Sequence, residues 1–228
     1  MAKALYFGLD PSHYQKTSPY EVIHLPLIRI VPRSFEDPSI QQALACFDLV
    51  SHVLLTSRSA VFWWNQYLSQ YAYPATRWVK KTLLAIGPAT EKALEDLPNP
   101  WKRQATHKPE VETSEGICAL LGELSPAPSL LLWPHSALSR SLIIECLEKR
   151  QIPYQAPILY ETLPQQPAPL PLLEDFQELV FSSPSTIDAF LQLYPYFPDG
   201  LKLVTIGPTT EKHLSFVLKL YFQSKILQ

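Results

Sequence analysis

Leu83-Leu84-Ala85-Ile86-Gly87-Pro88-Ala89-Thr90-Glu91-Lys92-Ala93-Leu94 returns, 120 residues later, as Leu203-Val204-Thr205-Ile206-Gly207-Pro208-Thr209-Thr210-Glu211-Lys212-His213-Leu214. Eight of the twelve positions are identical, far above chance for so short a window. Upstream of each copy lies a second pair. Leu54-Leu55-Thr56-Ser57-Arg58-Ser59-Ala60-Val61 aligns with Val180-Phe181-Ser182-Ser183-Pro184-Ser185-Thr186-Ile187. The two motifs keep their order in both halves, and two similar lobes are the simplest account.

Each motif reads as an apolar strand running straight into a helix. Ser183-Pro184 suits an N-cap followed by the first helical position, where proline's missing N–H costs nothing. Gly87-Pro88 and Gly207-Pro208 repeat that logic, with glycine leaving room for a ligand near the backbone. Similar alternation runs through the whole chain. Strands are expected at Ala4–Phe7, Val22–Ile30 (interrupted by Pro26), Val50–Leu55, Thr82–Ile86, Leu130–Trp133, Ile158–Tyr160, Leu179–Phe181 and Leu201–Ile206. Helices are expected at Ser57–Tyr71, Pro88–Leu97, Ser114–Leu124, Ser139–Arg150, from Ser183, and from Pro208 to about Leu220. The pattern predicts an α/β fold of mostly parallel sheets flanked by helices.

Two proline-rich stretches, residues 31–38 and 163–171, read as linkers, because proline at that density continues neither a helix nor a central strand. Residues 36–162 are then an inserted α/β lobe. Residues 1–33 join 171–228 to make a discontinuous one.

Composition narrows the chemistry. A net charge of −2 and a pI near 6.3 give no electrostatic reason to bind nucleic acid. No apolar run approaches the ~20 residues of a membrane span, and the first residues turn polar too soon for a secretory signal. A cytoplasmic protein is expected. Cys46, Cys118 and Cys146 are scattered and form no C-x-x-C, so buried thiols are expected rather than disulfides or zinc. The six histidines have no ligand spacing, and no metal is expected. With only six glycines, neither common nucleotide-binding loop is present, and no cofactor is expected.

What the motifs offer is anion binding without a lysine-rich surface. In open α/β sheets ligands bind beyond the carboxyl ends of the strands. There the helix starts present free N–H groups, a positive dipole end and nearby hydroxyls. A capping role alone explains any single copy; the repetition of two motifs in both halves favours binding.

The duplicated Ile-Gly-Pro-x-Thr turn, paired with the Thr-Ser-x-x-x-Val turn at Thr56–Val61, resembles the uroporphyrinogen-III synthase family. So do Leu130-Leu131-Leu132, the helix ending Cys146-Leu147-Glu148-Lys149-Arg150, the Ile158-Leu159-Tyr160-Glu161-Thr162 segment, and His24-Leu25-Pro26-Leu27-Ile28. The resemblance implies two lobes joined by a two-strand hinge, with the active site in the cleft between them. It implies a cofactor-independent hydro-lyase of tetrapyrrole (haem) biosynthesis. The substrate would be hydroxymethylbilane, cyclised to uroporphyrinogen III with loss of water and inversion of ring D. A monomer is expected. Carried over by position, Tyr160 is the catalytic candidate. Thr56, Ser57, Ser59, Gly87, Thr90, Ser182, Ser183, Ser185, Gly207, Thr209 and Thr210 are the substrate-binding ones. Two departures stand out. Gly8-Leu9-Asp10-Pro11 replaces a Thr-Arg-Pro-type turn, putting an arginine contact and a full helix in question, and Trp133-Pro134-His135-Ser136 replaces a smaller, more polar turn. The rival readings are a non-catalytic module binding a polycarboxylate or tetrapyrrole, and an enzyme acting on phosphorylated metabolites.

Overall fold

A computed structural model of the chain describes residues 2–194, 196–198 and 200–226, with side chains described as far as residue 220. The chain opens on β1 (Lys3–Tyr6), α1 (Ser12–Thr17), β2 (Glu21–His24) and β3 (Ile28–Pro32). It continues through α2 (Pro38–Ala45), β4 (His52–Leu55), α3 (Arg58–Gln70), α4 (Ala75–Trp78), β5 (Thr82–Ala85) and α5 (Pro88–Glu95). Next come α6 (Ser114–Glu123), β6 (Leu131–Leu132), β7 (His135–Ser136), α7 (Leu142–Lys149), β8 (Tyr154–Gln155) and β9 (Ile158–Pro164). It closes with β10 (Glu178–Phe181), α8 (Pro184–Leu193), β11 (Lys202–Thr205) and α9 (Pro208–Ile226).

Contacts divide the chain into two compact units, one of Met1–Ile30 with Thr162–Gln228 and the other of Val31–Glu161. The first carries a sheet ordered β11-β10-β1-β2, the second a sheet ordered β5-β4-β6-β8, and every pairing in both is parallel. Position by position the orders match. The Ile-Gly-Pro strand is at the edge, the serine-motif strand is next to it, and a β-α-β pair completes the sheet. Only the chain order differs: β1-α1-β2 comes first in one unit, whereas β6-α7-β8 comes last in the other. A short third sheet has the order β3-β9-β7.

Strands covered on both faces need apolar side chains at every position rather than at alternate ones. His52-Val53-Leu54-Leu55 and Glu178-Leu179-Val180-Phe181 are accordingly buried throughout. In the first unit Phe7, Phe181, Phe190 and Phe197 pack as a ring cluster, with successive centroids 5.1, 5.4 and 5.4 Å apart. In the second, Leu54, Leu84, Leu131, Trp133, Ile143 and Leu147 share one core. Phe47, Trp64, Tyr73 and Trp78 form a further aromatic group around Phe47.

The stretch expected as one strand over Val22–Ile30 is two strands in different sheets. Pro26 has no N–H to give a ladder, and the backbone turns there: Leu25 N–H bonds Tyr6 O at 2.9 Å and Leu27 N–H bonds Phe7 O at 3.1 Å. A helix does follow the first turn, but α1 spans six residues and buries none of them. Tyr14 anchors it through a hydrogen bond to the buried Glu178, which Lys202 also meets at 2.6 Å. Within 31–38, Pro32 still belongs to β3, and Asp37 caps α2 by accepting the Ser39 N–H at 2.9 Å. Past β9, Gln165 is tied to Leu27 O at 2.8 Å and to Pro26 O at 2.6 Å.

Candidate active site

The second unit gathers hydroxyls where β4 ends. Ser57 has extended backbone and N-caps α3, its Oγ accepting the Ala60 N–H at 3.0 Å. The same Oγ lies 2.8 Å from the hydroxyl of Tyr160, which arrives from β9. The cap therefore fixes a partner for the tyrosine. Tyr160 is 4% exposed. Burial raises its pKa, and the hydroxyls of Ser57, Ser59 and Ser136 pull the other way without cancelling it. The phenol is neutral at physiological pH. Thr56, Ser57, Ser59 and Tyr160 thus come together, as do Ser136 and Trp133, whose Nε1–H donates to Thr56 Oγ1 at 3.2 Å.

Trp133 is buried and stacks on His135, with centroids 4.1 Å apart and planes inclined 15°. His135 Nδ1 lies 2.8 Å from Ser136 O and Nε2 lies 3.2 Å from Ala156 O. Burial lowers the pKa of His135 despite those two carbonyls. His52, buried in β4, is likewise lowered, first by burial and then by His107. A histidine held neutral by folding makes no difference above its unfolded value of 6.5. Below it, the unfolded chain takes up protons that the folded one resists, so stability falls with pH. The urea midpoint is expected to drop between pH 7 and pH 5, and His52→Gln with His135→Gln should flatten that slope.

The Gly-Pro turns differ between the copies. Gly87 has extended backbone and is buried, and a Cβ there would lie 2.5 Å from Glu112 Cδ and 2.9 Å from its Cγ. Glu112 thus lies over the start of α5, where Lys108 and Glu91 form an ion pair of 2.5 Å. Gly207 instead has φ +112°, where only glycine sits without strain, and a Cβ there would meet nothing within 4 Å. Gly207, Pro208 and Thr209 are exposed, so the start of α9 is open. Thr90 and Thr210 are each 3% exposed, turned inward. Their hydroxyls are thus not presented to a ligand, and the Thr90 N–H already bonds Gly87 O at 3.1 Å.

In the first unit Ser182, Ser183 and Ser185 cluster at the end of β10. Ser183 Oγ lies 2.9 Å from Ser185 Oγ, and Ser183 N–H bonds Thr186 Oγ1 at 3.3 Å. Gly8 packs against Ser182; a Cβ there would lie 2.6 Å from Ser182 Cβ and 2.8 Å from the Tyr6 ring. The glycine of the atypical first turn is thus required by close packing. Its carbonyl is 2.8 Å from His24 Nε2, on an exposed ring at the end of β2. Sequence reasoning gave His24 no role beyond its place in the His24–Ile28 stretch and did not name Glu112; each becomes a neighbour of a motif only through the fold.

Among the described residues, no three His, Cys, Asp or Glu side chains converge as metal ligands would, and no helix is long and apolar enough to cross a membrane. Cys118 and Cys146, distant in sequence, meet where α6 packs on α7, with Cys146 Sγ 3.8 Å from Cys118 O. Burial pushes the Cys118 thiol up to about 12. All three cysteines are free and partly rather than fully buried.

Comparison with solved structures places the fold. A mutant uroporphyrinogen III synthase from the extremely thermophilic bacterium Thermus thermophilus is 16% identical, with a TM-score of 0.64 over 94% of this chain and 88% of that one. Uroporphyrinogen-III synthetase from Helicobacter pylori is 20% identical, with a TM-score of 0.56 over 94% and 88%. At such identities the likeness bears on architecture alone. No curated protein matches the chain. A family model described as uroporphyrinogen-III synthase HemD matches residues 14–224. Because that match takes in both contact units and all four strand-to-helix turns, the chain belongs to the uroporphyrinogen-III synthase family, hydro-lyases of haem biosynthesis.

Proposed function

We propose that this uroporphyrinogen-III synthase closes hydroxymethylbilane to uroporphyrinogen III with Tyr160 hydrogen-bonded to the departing hydroxyl and its strand-to-helix turns holding the substrate's carboxylates. The family match over residues 14–224 carries the reaction. The Ser57–Tyr160 pair at 2.8 Å supports the assignment of the tyrosine.

Loss of the hydroxyl leaves a cationic azafulvene, which a pyrrole carbon attacks through a spiro intermediate that inverts ring D. The azafulvene is reactive enough that no strong nucleophile is needed. The protein's task is orientation, so that inverted closure outruns direct closure, with modest proton assistance. A buried, neutral phenol suits that role: its O–H donates to the leaving oxygen while Ser57, fixed by α3, holds the ring's tip in place. Each unit supplies carboxylate contacts from its own turns: Thr56, Ser57, Ser59, Gly87 and Thr90 in one, Ser182, Ser183, Ser185, Gly207, Thr209 and Thr210 in the other. At Thr210 the contact is through the backbone N–H, since the side chain is buried, while the Thr90 N–H is held by Gly87 O at 3.1 Å. The domain division follows the same reading: residues 163–171 and 31–38 are the linkers between a discontinuous lobe and an inserted one. The protein acts as a cytoplasmic monomer on this small molecule, without nucleic acid.

Freshly generated hydroxymethylbilane, incubated with the protein and oxidised, is expected to give predominantly porphyrin isomer III. A mixture dominated by isomer I, the product of unassisted closure, would leave the chain a passive binder.

A further inference from the structure

We propose that Trp133 is a positioning residue that makes the Thr56 hydroxyl a hydrogen-bond donor to a substrate carboxylate. The inference rests on the functional reading above and adds a residue to it.

An indole N–H donates and never accepts. Trp133 Nε1–H points at Thr56 Oγ1 from 3.2 Å, so it occupies a lone pair of that hydroxyl. Thr56 keeps its own proton, which is then free to donate outward. A hydroxyl left to itself rotates, and facing water it serves as donor or acceptor alike. With the indole in place, donation is the role that completes its hydrogen bonding, and a carboxylate is a partner that only accepts.

The indole is held against rotation. Trp133 is 1% exposed, lies in the core with Leu54, Leu131 and Ile143, and has the His135 ring stacked on it at 4.1 Å. His135 is in turn held between Ser136 O and Ala156 O. This chain of contacts runs from the β7 turn to Thr56. Thr56 directly precedes Ser57, the partner of Tyr160. A misplaced Thr56 therefore disturbs binding beside the reacting end of the substrate without touching the phenol itself.

Trp133→Phe deletes the N–H and keeps an aromatic ring for His135 to stack on. Two readouts are needed: KM and kcat for isomer III formation, and the Kd for uroporphyrin III, an octacarboxylate product analogue, by quenching of tryptophan fluorescence. Trp133→Phe is expected to raise KM and Kd about three- to tenfold, the size of one neutral hydrogen bond, with a smaller fall in kcat. Thr56→Val, which removes the bond to the charged carboxylate itself, should raise both by at least as much, and Trp133→Phe added to Thr56→Val should change Kd little further. Thr56→Ser, which keeps the hydroxyl, should restore both the affinity and its dependence on Trp133. Unchanged Kd in a folded Trp133→Phe protein, or additive losses in the double variant, would overturn the assignment and leave Trp133 a packing residue. Isomer I from the wild-type chain would instead count against the functional reading, while the Kd series still decides the role of Trp133.

Discussion

Tyr160→Phe is expected to lower kcat for isomer III formation about tenfold or more while the protein stays folded. The phenol is buried and its tip meets Ser57 at 2.8 Å. Removing the oxygen leaves Ser57 still capping α3 through Ala60. No buried polar atom is therefore stranded, and the stability loss should stay near 1 kcal/mol, the net value of an ordinary hydrogen bond. The chemical loss is larger, because a donor aimed at charge that develops only as the hydroxyl departs acts on the transition state and not on binding. The expected signature is a fall in kcat with KM almost constant. Initial rates beside a thermal melt check it. A fully active variant would remove Tyr160 from the reaction, and a variant that unfolds would make it structural.

Lys81→Met should destabilise the protein by about 3 kcal/mol, the order seen when one partner of a buried charge network is removed. Lys81 is 7% exposed, and its Nζ reaches Phe47 O at 2.7 Å, Val50 O at 2.7 Å and Asp48 O at 3.1 Å. The ammonium also lies 5.0 Å from the centre of the Phe47 ring. One cation thus satisfies three carbonyls of the turn that leads into β4. Burial lowers its pKa, with Asp48 opposing. Methionine fills the volume and leaves Asp48 O and Val50 O without that partner, while Phe47 O keeps only the Val50 N–H at 3.2 Å. The free energy of urea unfolding, followed by tryptophan fluorescence, measures the loss; a change under about 1 kcal/mol would show that water replaces the ammonium at little cost. Isomer specificity should survive, since Lys81 precedes β5 and lies away from the turns that follow the strands.

Why Lys81 escaped the sequence is instructive. Lys80-Lys81 reads as an exposed basic pair before a strand, and nothing local says that one of them turns inward to a loop more than thirty residues earlier. The repeats were legible because they are local. Ser57, Ser183, Gly87 and Gly207 each stand at a strand-to-helix junction, and the capping chemistry that marks such a junction is written within four residues. The equivalence of the two sheets extends further than the repeats, to β1-α1-β2 and β6-α7-β8, whose sequences show no such likeness; there the backbone is preserved by strand order alone. Val22–Ile30 was ambiguous for another reason. A mostly apolar stretch fits one long strand or two short ones, and only the pairing of β2 with β1 shows where Pro26 divides it. At the site, the hydroxyl residues could be named from the motifs, whereas Trp133 and Glu112 reach their motif partners across 77 and 25 positions of sequence.

The claim beneath the functional account is that carboxylates are held by amides at the carboxyl ends of the parallel strands. Titration of the ¹⁵N-labelled protein with uroporphyrin III, followed by amide chemical shifts, tests it directly. The largest shifts should fall at Ser57–Ala60, Ser183–Thr186 and Gly207–Thr210. Shifts confined to the opposite ends of the strands, at Asp48–Ser51 and Lys80–Lys81, would contradict it.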